Sequence, residues 1–286
     1  MSGPARLPAA PAGGDLRDHL PAIEPDRTIT DWGRSERVEG LLDATVVSFL
    51  YHYWFRCDVE GIEHVPATGG ALLVSNHGGA LPPDASMIAK AIKEEHPRPR
   101  PLHLTVEHFF KGYPFFSMLV AKIGGVPAHP ANVHRLLRDE QQLVLVFPEG
   151  AKATAKLYKD RYRLRRFGRG GFVEAAMRAG VPIVPIAVVG AEEAMPTFAQ
   201  VNLLKRLTGL IYFPVTPLFP HLGLLGAAYL PAKFRLRFLP PVPTDRMGAE
   251  PWEDRGLVQE IADDIRVRIQ DELVDMIGRR RSVWLG

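Results

Sequence analysis

Compact apolar runs and longer segments with apolar residues every third or fourth position alternate along most of the chain. "GALLVSN" (70–76), "PLHLTVE" (101–107), "QLVLVFPEG" (142–150) and "VPIVPIAVVG" (181–190) are short, apolar and bounded by Gly, Pro or Asn, which predicts buried strands. "KFRLRFLPPV" alternates apolar and charged residues, as a strand with one wet face does. Between these runs the period lengthens to that of helices. "PDASMIAKAIKEEHP" places Pro83 and Asp84 in a first helical turn. "YPFFSMLVAKIG", "NVHRLLRDEQ" and "GGFVEAAMRAG" read as helices, two of them ending at glycine. A helix over 36–56 is aromatic in its second half (Phe49, Tyr51, Tyr53, Trp54, Phe55). A long C-terminal helix over about 253–280 carries Ile261, Ile265, Val267, Ile269, Leu273 and Ile277 as apolar positions.

Strands alternating with helices predict an α/β fold: a single mixed, mostly parallel sheet flanked by helices, with an N-terminal and a long C-terminal helix. Functional groups of such sheets collect in loops beyond the carboxyl ends of the strands. Three polar loops fall there: "SNHGGALPPD", "PEGAKATAK" and "GAEEAMP". The first 27 residues hold five prolines and no apolar core segment. They predict a disordered segment over 1–30 and no secretory signal, with one domain over 31–286.

Composition narrows the picture. The 286-residue chain is 46% apolar with a formal charge of +3, which is globular and mild on average. Locally it is not mild. Lys152, Lys156, Lys159, Arg161, Arg163, Arg165, Arg166 and Arg169 face one acid, Asp160, and a second basic cluster, "GRRR", lies near the C-terminus. Such density suits either a phosphate group or a solvated charged face. Cys57 is the only cysteine, so no intrachain disulfide exists and a reducing compartment is expected. No G-x-G-x-x-G or P-loop pattern is present, which argues against a nucleotide site. The histidines have no companion ligands at a diagnostic spacing, so no metal is expected; His103 and His108 are read as loop or cleft-flanking residues.

The order His77…Asp84, then "VFPEGAKATAK", then "VPIVPIAVVG", with "IGGVPAHPANVHRLL" between the first two, resembles the lysophosphatidic acid acyltransferase family of glycerolipid acyltransferases over about 55–245, in its bacterial branch. The resemblance implies His77 as general base, Asp84 as its orienting partner, and Glu149 and Gly150 at the acceptor. Lys152 stands where the family commonly has Arg, with Arg135, Arg165 and Arg166 as further phosphate candidates. It also implies acyl-CoA as the leading donor, with an acyl carrier protein as the other, lysophosphatidic acid as the leading acceptor and phosphatidic acid as product, no cofactor and no nucleic acid. The partner is then a phospholipid surface, met peripherally or monotopically on the cytoplasmic side of the membrane.

Two departures stand out. The spacing is His-x6-Asp rather than His-x4-Asp. The second motif offers His129, Pro130, His134 and Arg135 where the family has a phosphate-binding Arg, which leaves the head group open. Glycerol-3-phosphate, a lysophospholipid or a neutral glyceride are alternative acceptors, and a non-catalytic lipid-binding protein is the rival from another class. Residues 207–232 hold no Asp, Glu, Lys or Arg, but Pro214, Pro217 and Pro220 interrupt any helix there. That stretch is expected to lie on a membrane or to line an acyl channel.

Overall fold

The computed structural model describes residues 29–106, 114–201, 213–223, 226, 228–244 and 250–286. Almost all of the expected N-terminal segment, His108 and part of 207–232 lie outside the described residues. The first helix starts at α1 (Glu36–Leu42), capped by the Ser35 hydroxyl, and continues in wide π-type turns over Asp43–Val47 and Leu50–Trp54. It ends where Arg56 takes a left-handed backbone conformation.

Seven strands follow: β1 (Asp58–Glu60), β2 (Ala71–Ser75), β3 (Leu102–Val106), β4 (Gly125–Pro127), β5 (Leu143–Val146), β6 (Ile183–Val189) and, after the two-stranded β7 (Ala199–Gln200) and β8 (Pro214–Val215), β9 (Arg235–Phe238). Their order is β1-β9-β6-β2-β5-β3-β4. Every pairing is parallel except β6 with β9. The strands β2 and β6 are buried at every residue, as expected for parallel strands covered on both faces.

The helices between strands are α2 (Asp84–Glu95), α3 (Pro114–Lys122), α4 (Pro130–His134), α5 (Ala151–Thr154), α6 (Gly171–Ala179) and α7 (Ala191–Ala194); α8 (Arg255–Arg279) closes the chain. Two cores result. On one face, α6 and α8 pack on Leu72, Val74, Val144, Ala187 and Val189. On the other, α2 and the aromatic end of the first helix (Tyr51, Phe55) cover Leu73, Leu145, Val184 and Ile186. The buried stripe of α8 is Val258, Ile261, Ala262, Ile265, Ile269, Leu273 and Met276. Val267 is exposed instead of buried. Two residues beyond Ile265 is about 200° around a helix, so Val267 points away from the face that Ile265 buries. Gly170 makes this packing possible: a Cβ there would lie 2.7 Å from a Val258 methyl.

The strand order is what builds a site. Because β2 lies between β6 and β5, with Val74 in register with both Val146 and Pro185, the loops leaving these three strands emerge side by side. They are the three polar loops picked out in the sequence.

Candidate active site

Asn76, the residue after β2, is buried and binds β6 through both ends of its amide. Its Nδ2 donates to the Val188 carbonyl at 2.9 Å and its Oδ1 accepts from the Val188 N–H at 2.8 Å. A side chain thus continues the ladder where the main chain turns away, and this fixes the start of the His77 loop. The loop then passes close against the segment after β6. A Cβ on Gly78 would meet the Glu192 Cγ at 2.2 Å, and one on Gly79 the Ala191 carbonyl oxygen at 2.6 Å. Both glycines of "HGGA" are therefore required by close approach.

The wider His-x6-Asp loop closes. Asp84, fully buried at the first turn of α2, lies with Oδ2 3.0 Å from His77 Nδ1 and also accepts the Gly78 N–H at 3.3 Å. With Nδ1–H donating to the carboxylate, the imidazole carries its lone pair on Nε2. The ring stacks on Phe147, centroids 4.0 Å apart, and is 17% exposed. His77 and Phe147 line a cavity of about 700 Å³ whose other walls include Leu104, Val120, Val133, Phe172 and Phe219. That size lies within the roughly 300–1,000 Å³ of ligand sites. The lining described has no Lys or Arg; its polar members besides His77 include Thr105, His129, Thr154 and Thr216. The described part of the apolar stretch thus supplies wall to the cavity through Phe213, Pro214, Thr216, Phe219 and Gly226.

Glu149 follows β5 and is buried. Its Oε2 accepts the Arg165 N–H at 2.8 Å. Its Oε1 is buried without a hydrogen-bond partner among the described residues. Burial pushes this carboxyl above the ordinary carboxylate range, against the pull of Lys156, the Arg165 N–H and His77. Gly150 turns the chain with φ +61° and lines the cavity.

The basic residues do not converge as one patch. Arg165 contributes its backbone N–H to Glu149, while its side chain is exposed. Arg166 donates to Gln259 on α8. Arg135 pairs with Glu140 at 2.7 Å and Asp31 at 3.3 Å, stacks over Trp32, and is not among the cavity-lining residues. The Lys152 side chain lies outside what the structure describes.

Lys156 is buried, 3.0 Å from Glu192 Oε1 and 3.7 Å from Glu149 Oε2. The C-terminal basic cluster gives Arg280, which pairs with the buried Glu193; Glu193 in turn accepts the Tyr162 hydroxyl proton. Of the two histidines read as flanking the cleft, His103 is buried away from the described lining, and burial lowers its pKa to about 4.

Asn76, Lys156 and Glu192 are the site residues that sequence reasoning passed over. Asn76 stands in the quoted "SNHGG" with a side chain of strand-capping type. Nothing in a run of basic residues separates Lys156 from its neighbours.

A family profile described as Acyltransferase matches residues 56–189. An uncharacterized protein of Mycobacterium leprae is 41% identical over 277 residues, which cover 97% of this chain and 74% of that one. The "DGAT1/2-independent enzyme synthesizing storage lipids" of Gallus gallus is 25% identical over 67% of this chain and 54% of its own length. Among solved structures, the 1-acyl-sn-glycerophosphate (LPA) acyltransferase PlsC of Thermotoga maritima shares the fold, with a TM-score of 0.55 and 16% identity over 86% of this chain and 80% of that one. With the profile spanning His77, Asp84 and Glu149, the chain belongs to the acyltransferase family that this profile describes, in a PlsC-like fold.

Proposed function

We propose that the protein moves a fatty acyl group from an acyl thioester, with acyl-CoA as the leading donor, to a glycerolipid hydroxyl, with lysophosphatidic acid as acceptor and phosphatidic acid and CoA as products. The observation that carries this reading is the His77–Asp84 pair opening onto a large apolar cavity. His77 Nε2 takes the proton of the acceptor hydroxyl as its oxygen forms a bond to the thioester carbonyl carbon. The carbon–sulfur bond breaks, and the proton passes from the imidazolium to the leaving thiolate. Asp84 holds the tautomer and stabilises the imidazolium, a role worth keeping because general-base catalysis contributes about 10²–10⁴-fold.

An acyl-enzyme route has little support. Ser75 is buried and donates its hydroxyl to the Asn76 carbonyl. Cys57 lies just before β1, its thiol pushed up by burial, and neither is a nucleophile beside the base. The closed His–Asp hydrogen bond also weighs against a non-catalytic lipid-binding role.

The cavity's apolar walls suit an acyl chain; Glu149 is not among the lining residues but adjoins Gly150, which is, and its Oε1, without a hydrogen-bond partner among the described residues, suits an acceptor hydroxyl. A neutral glyceride is the second reading of the acceptor. It is favoured by a described lining without Lys or Arg and by the engagement of Arg135 with Asp31 and Glu140; the likeness to enzymes synthesizing storage lipids points the same way.

Among the described residues no helix is long and apolar enough to cross a membrane. Peripheral attachment on the cytoplasmic leaflet fits the exposed Leu41, Val46, Phe49 and Tyr53 of the first helix. The test of the acceptor is labelled acyl-CoA with lysophosphatidic acid and monoacylglycerol supplied separately on vesicles. Preference for the phosphorylated acceptor supports the first reading. Equal or better use of the neutral one replaces it with the second.

A further inference from the structure

We propose that Lys156 is the positioning residue of this site: its buried ammonium holds Glu149, from the loop after β5, and Glu192, from the segment after β6, in fixed relation to the His77 loop, and so sets where Glu149 meets the acceptor. This rests on the reading of Glu149 as an acceptor contact. Lys156 is 6% exposed, and a lysine is almost never so buried unless paired. Its Nζ lies 3.0 Å from Glu192 Oε1 and 3.7 Å from Glu149 Oε2, and it donates to the Arg163 carbonyl at 3.3 Å.

Each carboxylate also accepts a backbone N–H of the same basic segment, Glu149 on the Oε2 that faces Lys156 and Glu192 on the oxygen that does not. Arg165 N–H binds Glu149 at 2.8 Å, and Tyr162 N–H binds Glu192 at 2.5 Å. The segment 156–165 therefore grips both acids at once, with Lys156 as the one cation within 4 Å of both among the described residues. Glu192 transmits the arrangement to the catalytic loop by contact, since its Cγ fills the space where a Gly78 side chain would begin.

Two buried carboxylates on a single ammonium repel each other when it is removed. Glu149, then held among the described residues by the Arg165 N–H alone, is free to turn about that Oε2, and its Oε1 moves with it. Geometry of this kind governs rate steeply, a displacement of about 1 Å being worth roughly 10²-fold. Lys156 thus acts through Glu149 and need not touch the substrate.

The test uses the full-length protein and measures three quantities: binding of 1-acylglycerol-3-phosphate and of 1-acylglycerol without donor, steady-state KM for acceptor and donor, and thermal unfolding. The variants are Lys156→Met, Lys156→Arg, Glu149→Gln, the combination Lys156→Met/Glu149→Gln, and Lys156→Met/Glu192→Gln, termed the double variant. Lys156→Met should weaken acceptor binding and raise acceptor KM about tenfold or more, with donor KM within about twofold. Lys156→Arg should recover part of the loss. The double variant, which removes the stranded charge, should regain Tm without regaining acceptor KM. Adding Lys156→Met to Glu149→Gln should cost little more than Glu149→Gln alone.

Unchanged acceptor binding in folded Lys156→Met overturns the proposal. So does full recovery of acceptor KM in the double variant, which would make the lysine a charge balance only. If Lys156→Met is too unstable to assay, the double variant and Lys156→Arg decide by the same measure. If the wild type itself binds neither acceptor and transfers no acyl group, the underlying reading of Glu149 fails and takes this proposal with it. That outcome differs from a failure confined to Lys156, in which the wild type binds and the variant binds equally.

Discussion

The loops after β2 and β5 leave neighbouring strands, yet they handle buried carboxylates in opposite ways. After β2, one carboxylate, Asp84, meets one imidazole, and that imidazole reaches the cavity. After β5, Glu149 shares a single ammonium with Glu192, and all three groups are buried. The first arrangement leaves a basic nitrogen that gains and loses a proton. The second spends its polar groups on holding two loops together. The difference teaches that chemistry and positioning are divided between adjacent strand ends, and each half of the division fails in its own way.

Asp84→Asn tests the first half and carries the larger expected effect. With the carboxylate gone, the imidazole loses its preferred tautomer. A fall in kcat of up to about 10⁴-fold is expected, with residual turnover remaining because the base is still present. Steady-state kinetics on vesicles check it, and circular dichroism should show the fold retained.

Glu149→Gln tests the second half. Loss of a charged hydrogen bond is worth roughly 1.5–3 kcal/mol, or about 10- to 150-fold, and should fall on acceptor KM rather than donor KM. Equal changes in the two constants would erase the proposed division of labour.

The acid–base behaviour of stability sharpens the contrast. Burial raises the pKa of Glu149 and Glu192 above the ordinary 4.5. In that window the native state binds more protons than the unfolded one, so stability from these two groups declines as pH rises from about 4.5 through their raised values. Glu192→Gln removes part of that decline. Its Tm relative to wild type should therefore become more favourable between pH 4 and pH 8, whatever its offset, and scanning calorimetry at several pH values reads the trend. A trend of opposite sign would show that Lys156 fully compensates the pair.

The smallest effect on chemistry belongs to the first helix, which supplies no residue to the cavity lining described. Phe49→Asp with Tyr53→Asp removes two exposed aromatics, each contributing about 1.5–3 kcal/mol when moved out of water. Flotation with vesicles should show weaker attachment, while turnover of a short-chain soluble acceptor stays near wild type.

Much of this was legible in the sequence, for identifiable reasons. Strands such as "ALLVS" and "IVPIAVV" announce themselves because strands covered on both faces must be apolar throughout. His77 and Glu149 sit just past such strands and Asp84 opens the next helix, and the resemblance in motif order is what singled out all three. The lateral order β6-β2-β5 was not legible, since sequence order does not state which strands become neighbours. Nor was the fate of the basic residues. Lys156 is buried against Glu192 and the half-buried Arg280 pairs with the buried Glu193, whereas Arg135 turns to a surface acid pair. These residues look alike in one dimension and differ only in which carboxylate the fold brings to them.

The central claim is that acyl transfer occurs at His77. It is tested most directly by comparing wild type with His77→Ala, using labelled acyl-CoA and glycerolipid acceptors on vesicles. The account predicts labelled product from the wild type and a loss of about 10²–10⁴-fold in the variant, with Tm little changed because His77 is a loop residue that bears no core. Near wild-type turnover by a folded His77→Ala protein would contradict it.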